Sequence, residues 1–406
     1  MKAKVPLFDL IWCLSETVDL ISSRAARHHL QTAYIAACIA EELGLPETGK
    51  ARLILAASIH DVGSLSLKAP AGPAGSSQAE AGYRLMRGFE PLAGAAQVVR
   101  YHQVPWAAGR GVAAGGIPVP EESHILHLAD RAAAMEARGG ALYFRSAALA
   151  GGRRGAFVPA HLEAFERASA KESFWLDLAS GSLRTILAGK VKEHSVPLDL
   201  DGVGQLGLFF SQVIDFRSHF TASHSSGVSA CAEALAGMAG FSGARRRLMG
   251  VAGHVHDLGK LAVPRRILQK AGPLSAEEKA VIRSHAYYTH RILSAIPALA
   301  TVREWGALHH ERLDGSGYPF RYKGARLCTG SRIMAVADVF TALSEDRPYR
   351  SGLKRGEVLS IMRGMARDSA LDRELVALLE KNYGELEYRR RLSHSESAGR
   401  YRLCFN

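Results

Sequence analysis

Apolar positions recur at spacings of three and four in two separated stretches, AYIAACIAEELG at 33–44 and SACAEALAGMAG at 229–240. That period puts them along one face of an amphipathic helix. Strand-like alternation is scarce. Ser275-Ala-Glu-Glu278 reads as a capping box, which predicts a helix from there to about Ile296 with Pro297 as its stop. Pro, Gly and Ser at 69–77 mark a loop, the Gly-, Ala- and Arg-rich 139–156 reads as a loop or connector, and Pro197–Gly204 reads as an interdomain linker. The expected fold class is all-α.

The two helical stretches lie in longer segments that resemble each other. DLISSRAARHHLQTAYIAACIAEELGLP, followed by ILAASIHDVG, is echoed by DFRSHFTASHSSGVSACAEALAGMAGFS, followed by GVAGHVHDLG. Asp19, His28, Gly44, His60, Asp61 and Gly63 recur at one constant offset as Asp215, His224, Gly240, His256, Asp257 and Gly259. Six matches in one register imply duplication. Further on the register slips, YHQ at 101–103 matching LHH at 308–310 and LAD at 128–130 matching VAD at 336–338, as insertions in connecting loops would cause. The expectation is two tandem helical bundles, at 1–200 and 205–385, followed by a polar tail at 386–406.

Composition narrows the class only a little. A chain of 406 residues with 47% hydrophobic and 22% charged residues is globular and long enough for two or three domains. It has no uncharged apolar run that could span a bilayer. The first residues meet Asp9, Glu16 and Asp19 and make no convincing signal peptide, so a cytoplasmic location is the default. Cys13, Cys38, Cys231, Cys328 and Cys404 are odd in number and lack paired spacing, which excludes a disulfide framework or a zinc ribbon. A net charge of +12 favours anionic partners without choosing one. The runs Arg245–Arg247 and Arg389–Arg391 lack interleaved aromatics, so no nucleic-acid polymer is expected.

The chemistry concentrates in the second copy. His224, His256, Asp257, His285, His309, His310 and Asp338 form an ordered set of imidazoles and carboxylates, six of them in segments predicted helical. Such a set suits a site in a bundle core, and the donor mixture favours iron, manganese, zinc or a similar divalent ion over calcium. The segments HSSGV at 224–228, HDLGKLAVP at 256–264, SHAYYTHRIL at 284–293, HHERLDGSGYP at 309–319 and VADVFTALSEDRPYR at 336–350 resemble the HD superfamily of metal-dependent phosphohydrolases, specifically its HD-GYP branch. The resemblance covers about 170 residues, with the motifs in family order.

The resemblance implies two tandem HD-type bundles, the first degenerate, and in the second two divalent ions bridged by Asp257. One ion would be held by His224, His256, Asp257 and Asp338, the other by Asp257, His285, His309 and His310. Some family members hold a third ion through a glutamate four residues before the first histidine; Phe220 occupies that position here. Iron or manganese would be the metal, and a metal-bridging hydroxide the attacker in cleavage of a phosphodiester. Asp257 and Lys260 would be catalytic. Lys260, Gly315, Gly317, Tyr318, Pro319, Arg347 and Arg350 would meet the substrate, Lys260 through a phosphate oxygen and the arginines through phosphate and guanine. The implied substrate is cyclic di-GMP, a bacterial second messenger, opened to linear pGpG and further to GMP, with the mixed cyclic GMP–AMP dinucleotide as the alternative. Two other readings stand beside this one, a cyclic-dinucleotide sensor with little activity and an HD phosphohydrolase acting on another nucleotide. A homodimer or a signalling-protein partner would fit either; a membrane is not expected.

The first copy retains His28, His60, Asp61 and Asp130, enough for a single ion. Elsewhere Gln78 replaces His285, His102-Gln103 replaces His309-His310, Ser64 replaces Lys260, and VPWAAGRG replaces the ERLDGSGYP loop. An amide is a poorer ligand than an imidazole, so the second ion should be lost there. A structural or regulatory role, a one-metal phosphohydrolase and a ligand-sensing module are the readings for this half.

Overall fold

The computed structural model describes residues 5–19, 27–65, 75–136, 154–191, 197–215, 223–270, 272–346 and 351–405. The chain divides into two compact units, one essentially Pro6–Pro197 and the other essentially Leu198–Leu403. Both are helical. Strand occurs only as two-residue pieces among the described residues, such as the antiparallel hairpin pairing Ala113 with Pro118 and Ala114 with Ile117.

The first unit runs α1 (Leu7–Asp19), α2 (His28–Glu42), α3 (Glu47–Ile59), α4 (Ser77–Met86), α5 (Ala93–Tyr101), α6 (Glu121–Glu136), α7 (Pro159–Ser169), α8 (Glu172–Ala179) and α9 (Leu183–Val191). Helix α2 packs between α3 and α6. Its residues from Thr32 to Ala40 are all buried, so it is the central rod of a bundle and not the one-faced surface helix its periodicity suggests. Small side chains explain this, because Ala33, Ala36, Ala37 and Ala40 let neighbours approach from several sides. The Trp12 indole, itself buried, donates to Ser58 Oγ at 3.2 Å and ties α1 to α3.

The second unit runs α10 (Leu200–Asp215), α11 (His224–Met238), α12 (Gly243–Val255), α13 (Arg265–Leu268), α14 (Ala276–Ser294), α15 (Ala300–Ala307), α16 (Thr329–Ser344), α17 (Arg355–Arg367), α18 (Arg373–Lys381) and α19 (Tyr383–Phe405). Helix α11 is its central rod, packed on α12 and α16, while α14 lies against α15 and a 3-10 segment at Leu258–Ala262. Trp305, Phe210 and Phe340 fill the core.

The capping box is present: Ser275 Oγ accepts the Glu278 amide at 3.2 Å and Glu278 Oε2 accepts the Ser275 amide at 2.8 Å. The helix it opens ends at Ser294, and Pro297 begins a short 3-10 turn. Two expectations need correction. The linker expected at Pro197–Gly204 is already helix from Leu200, because Asp199 Oδ1 caps the Gly202 amide at 2.9 Å and offsets the glycines. The polar stretch 386–406 is helix α19 over its described part. Glu385–Arg389 and Glu387–Arg391 pairs support it, and Leu386 and Arg390 are buried. Most of the loop at 69–77 and the connector at 139–156 lies outside the described residues, although Ser76 caps α4.

Candidate metal centre

The site in the second unit is assembled mostly from helix ends. His224 is the first residue of α11, His256 caps the end of α12, Asp257 follows in the turn, and His309 and His310 lie just past α15. Only His285 and Asp338 sit in helix interiors, on α14 and α16. His256 and Asp257 do not share one helix: the helix stops between them, and the change of direction lets both side chains face the same space.

All seven side chains converge. His224 Nε2 lies 3.3 Å from Asp338 Oδ1, and His256 Nε2 lies 3.2 Å from Asp257 Oδ2 and 3.7 Å from Asp338 Oδ1. Asp257 Oδ1 turns the other way, 3.3 Å from His285 Nε2, which is 3.4 Å from His309 Nε2. The His310 ring completes that side, centred 4.0 Å from the His309 ring and 5.0 Å from the His285 ring. Three overlapping groups result, His224–His256–Asp338, His256–Asp257–His309 and His285–His309–His310, each with ligand atoms within 4.8 Å of one another.

The hydrogen bonds fix which nitrogen carries the proton. His256, His285 and His309 each have Nδ1 against the carbonyl three residues back, Gly253 at 2.8 Å, Ile282 at 2.6 Å and Gly306 at 2.6 Å. A carbonyl only accepts, so Nδ1–H donates and Nε2 turns its lone pair inward. Burial pushes His285 down to about 4, His310 to about 3 and His309 well below its ordinary range, so these imidazoles stay neutral. Burial opposes ionisation of Asp257 and Asp338, yet the surrounding imidazoles, and Lys260 at Asp257, hold both carboxyls well below the usual range. His224 differs: burial is overcome by Glu345 and Asp338, and its pKa rises to about 10.

These donors fit a metal. Inward lone pairs face carboxylate oxygens and one another at hydrogen-bond distance, and His256 Nε2 and Asp257 Oδ1 are buried without a hydrogen bond. Acceptors crowded this way need cations between them.

Around the centre, Lys260 lies in the 3-10 segment, not on a continued helix, and its ammonium ion-pairs with Asp257. The GYP loop folds onto His310. The Tyr318 amide donates to the His310 carbonyl at 3.2 Å, the Tyr318 ring is centred 4.7 Å from the His310 ring, and the Tyr318–Pro319 peptide is cis. Gly315 has φ +84°, and at Gly317 a Cβ would come within 2.4 Å of the Arg312 nitrogen, so only glycine lets the loop cross so closely. Arg347, Arg350 and Phe220 lie outside the described residues.

Three carboxylates missing from the sequence-derived site support this arrangement. Glu345 Oε2 accepts from His224 Nδ1 at 2.9 Å. It lies two helical turns beyond Asp338, a same-face spacing that was a usable signal. Glu311, buried beside the histidine pair, accepts the Phe320 and Tyr322 amides at 2.7 and 3.0 Å and pins the loop. Asp215 accepts the Ser225 amide and hydroxyl and holds the start of α11; its recurrence in the duplication was the clue.

The first unit builds a smaller cluster. His28 Nε2 lies 3.1 Å from Asp130 Oδ1, and His60 Nε2 lies 3.5 Å from Asp130 Oδ1 and 3.6 Å from Asp61 Oδ2. His102 joins His60 and Asp61. Its Nδ1–H donates to the Val99 carbonyl at 2.7 Å, leaving a buried Nε2 without a hydrogen-bond partner. Gln78 and Ser64 are exposed. The backbone position of Gln78 nevertheless matches that of His285: a Cβ on Gly63 would strike the Gln78 carbonyl at 2.1 Å, and one on Gly259 the His285 carbonyl at 1.9 Å.

Comparison with known proteins agrees with this doubling. HD-domain family models match residues 25–135 and 209–375. A 3'3'-cGAMP-specific phosphodiesterase of Vibrio cholerae is 27% identical over 407 residues, 93% of this chain and 92% of that protein. A cyclic di-GMP phosphodiesterase of Pseudomonas aeruginosa is 38% identical over 144 residues, 35% of each chain. The crystal structure of a cyclic GMP-AMP specific phosphodiesterase of Vibrio cholerae superposes with a TM-score of 0.66 at 21% identity, over 94% of this chain and 98% of that one, a likeness of fold. The chain thus belongs to the HD-GYP family of the HD superfamily, with an additional HD copy ahead of the HD-GYP domain.

Proposed function

We propose that the second unit is a metal-dependent cyclic-dinucleotide phosphodiesterase. The observation that carries this reading is the Asp257 carboxylate, which directs one oxygen at each of two histidine groups beside a loop folded onto His310. His224, His256, Asp257 and Asp338 would hold one divalent ion, and Asp257, His285, His309 and His310 the other, with iron or manganese matching the donors. Bound there, the pair would supply an activated water and neutralise charge developing at phosphorus.

The chain's own groups do the rest. Burial keeps His285, His309 and His310 neutral with their lone pairs available, and Glu345 and the carbonyls of Gly253, Ile282 and Gly306 stop the rings from rotating. Lys260, held at Asp257, is placed to donate to a phosphate oxygen. Gly315, Gly317, Tyr318 and Pro319 form one wall for the dinucleotide, and Arg347 and Arg350 are assigned to phosphate and guanine.

Cyclic di-GMP is the substrate suggested by the GYP loop. Cyclic GMP–AMP is the second, favoured by the similarity along almost the whole chain to a protein specific for it. Purified protein loaded with Mn²⁺ or Fe²⁺ and offered each dinucleotide should release a linear product, resolved by chromatography, and Asp257→Ala should abolish release. Hydrolysis of neither, or full turnover by the alanine variant, refutes the reading. For the first unit the corresponding proposal is a single ion at His28, His60, Asp61 and Asp130, with His102 as a further donor, in a regulatory or structural role.

A further inference from the structure

Tyr318 has one neighbour that none of the expected roles uses. The Arg283 guanidinium stands over the Tyr318 ring, 5.3 Å from its centre, while the His310 ring lies 4.7 Å from the same centre. Arg283 is exposed, belongs to α14 two residues before His285, and has no carboxylate partner among the described residues. Arg332, Arg363 and Arg389 of this unit, by contrast, pair with Asp372, Glu380 and Glu385. Arg312, on the loop, is likewise exposed and without an ion pair among the described residues. Tyr318 thus has the His310 ring of the centre and the Arg283 guanidinium both against its own ring.

We infer that Arg283 is a substrate-binding residue that takes the second, uncleaved phosphodiester of the cyclic dinucleotide. This rests on the phosphodiesterase reading of the same site. A cyclic dinucleotide carries two phosphodiesters in one ring, and only one of them can occupy the metal centre at a time. The other needs a cation a short way off. A guanidinium stacked on an aromatic ring is pre-oriented and keeps its N–H edge free to fork onto phosphate oxygens. Its position on the helix that bears His285 sets the spacing between that phosphate and the centre, which would favour diesters that carry a second charge over those that do not.

The test compares wild type, Arg283→Ala and Arg283→Lys, loaded with Mn²⁺, on the cyclic dinucleotide and on bis(4-nitrophenyl) phosphate, which has a single phosphate. Arg283→Ala should raise KM for the dinucleotide about tenfold, as loss of a charged hydrogen bond does, with kcat within about threefold. KM for the small diester should move less than about twofold, metal content should match wild type, and Arg283→Lys should recover part of the dinucleotide KM. A dinucleotide KM unchanged in Arg283→Ala, or both KM values rising in parallel, overturns the inference while leaving the phosphodiesterase intact. A wild-type protein that cleaves the small diester but neither dinucleotide overturns the function, and the inference with it.

Discussion

Glu345 shows how much of the candidate centre depends on residues outside the donor set. It grips His224 through Nδ1, so Glu345→Gln should weaken binding of the ion on the His224 side by about 10- to 100-fold, measured by metal titration of the apoprotein. Gly317 acts through absence of a side chain. Gly317→Ala would push a methyl into the backbone of Glu311 and Arg312 and should cost about 1–3 kcal/mol, read as a lower denaturation midpoint of the second unit together with reduced turnover. The donors themselves could be read from residue type and order, since seven imidazoles and carboxylates in a motif leave few alternatives. Their supporters could not: Glu311 and Asp215 look like ordinary surface acids until folding buries them, and His102 looks like a remnant until its Nε2 is found facing inward.

At the scale of single helices, local signals worked where they were chemically explicit. The Ser275 capping box opens α14 as written, and because that helix carries both His285 and Arg283, its start sets their height. Ser275→Ala should cost about 1 kcal/mol, seen in urea denaturation of the second unit. Periodicity was less informative. Helices α2 and α11 are alanine-rich rods buried on nearly every side, and a three-four pattern cannot say how many neighbours a helix will gather. The glycines at 202 and 204 suggested a linker, and one aspartate cap was enough to make helix there.

Across the whole molecule the duplication is visible in coordinates as well as letters, down to the Gly63 and Gly259 crossings, yet the two copies should respond differently to conditions. Metal analysis of loaded protein should find about three ions per chain, and Asp257→Ala should remove those of the second unit while sparing the first. In the first unit His124 and His161 are buried. Burial pushes both imidazoles down, helped at His124 by His161 and His127 and opposed at His161 by Glu121. Unfolded, each takes a proton near pH 6.5. Below about pH 6.5 these two groups therefore bind more protons unfolded than folded, and their contribution to the stability of this unit falls with acid until the folded groups titrate as well. A pH series of thermal melts should show that decline, and His161→Gln should flatten it.

His60, His102, His256 and His309 all stand just past the last turn of a helix and give their Nδ1 proton to a carbonyl of that turn, three residues back. One proton thus finishes a helix and aims a ligand. Coordination and helix length are locked together: fraying of a final turn would swing an imidazole off its cation, and a bound cation, by holding the ring, keeps that turn wound.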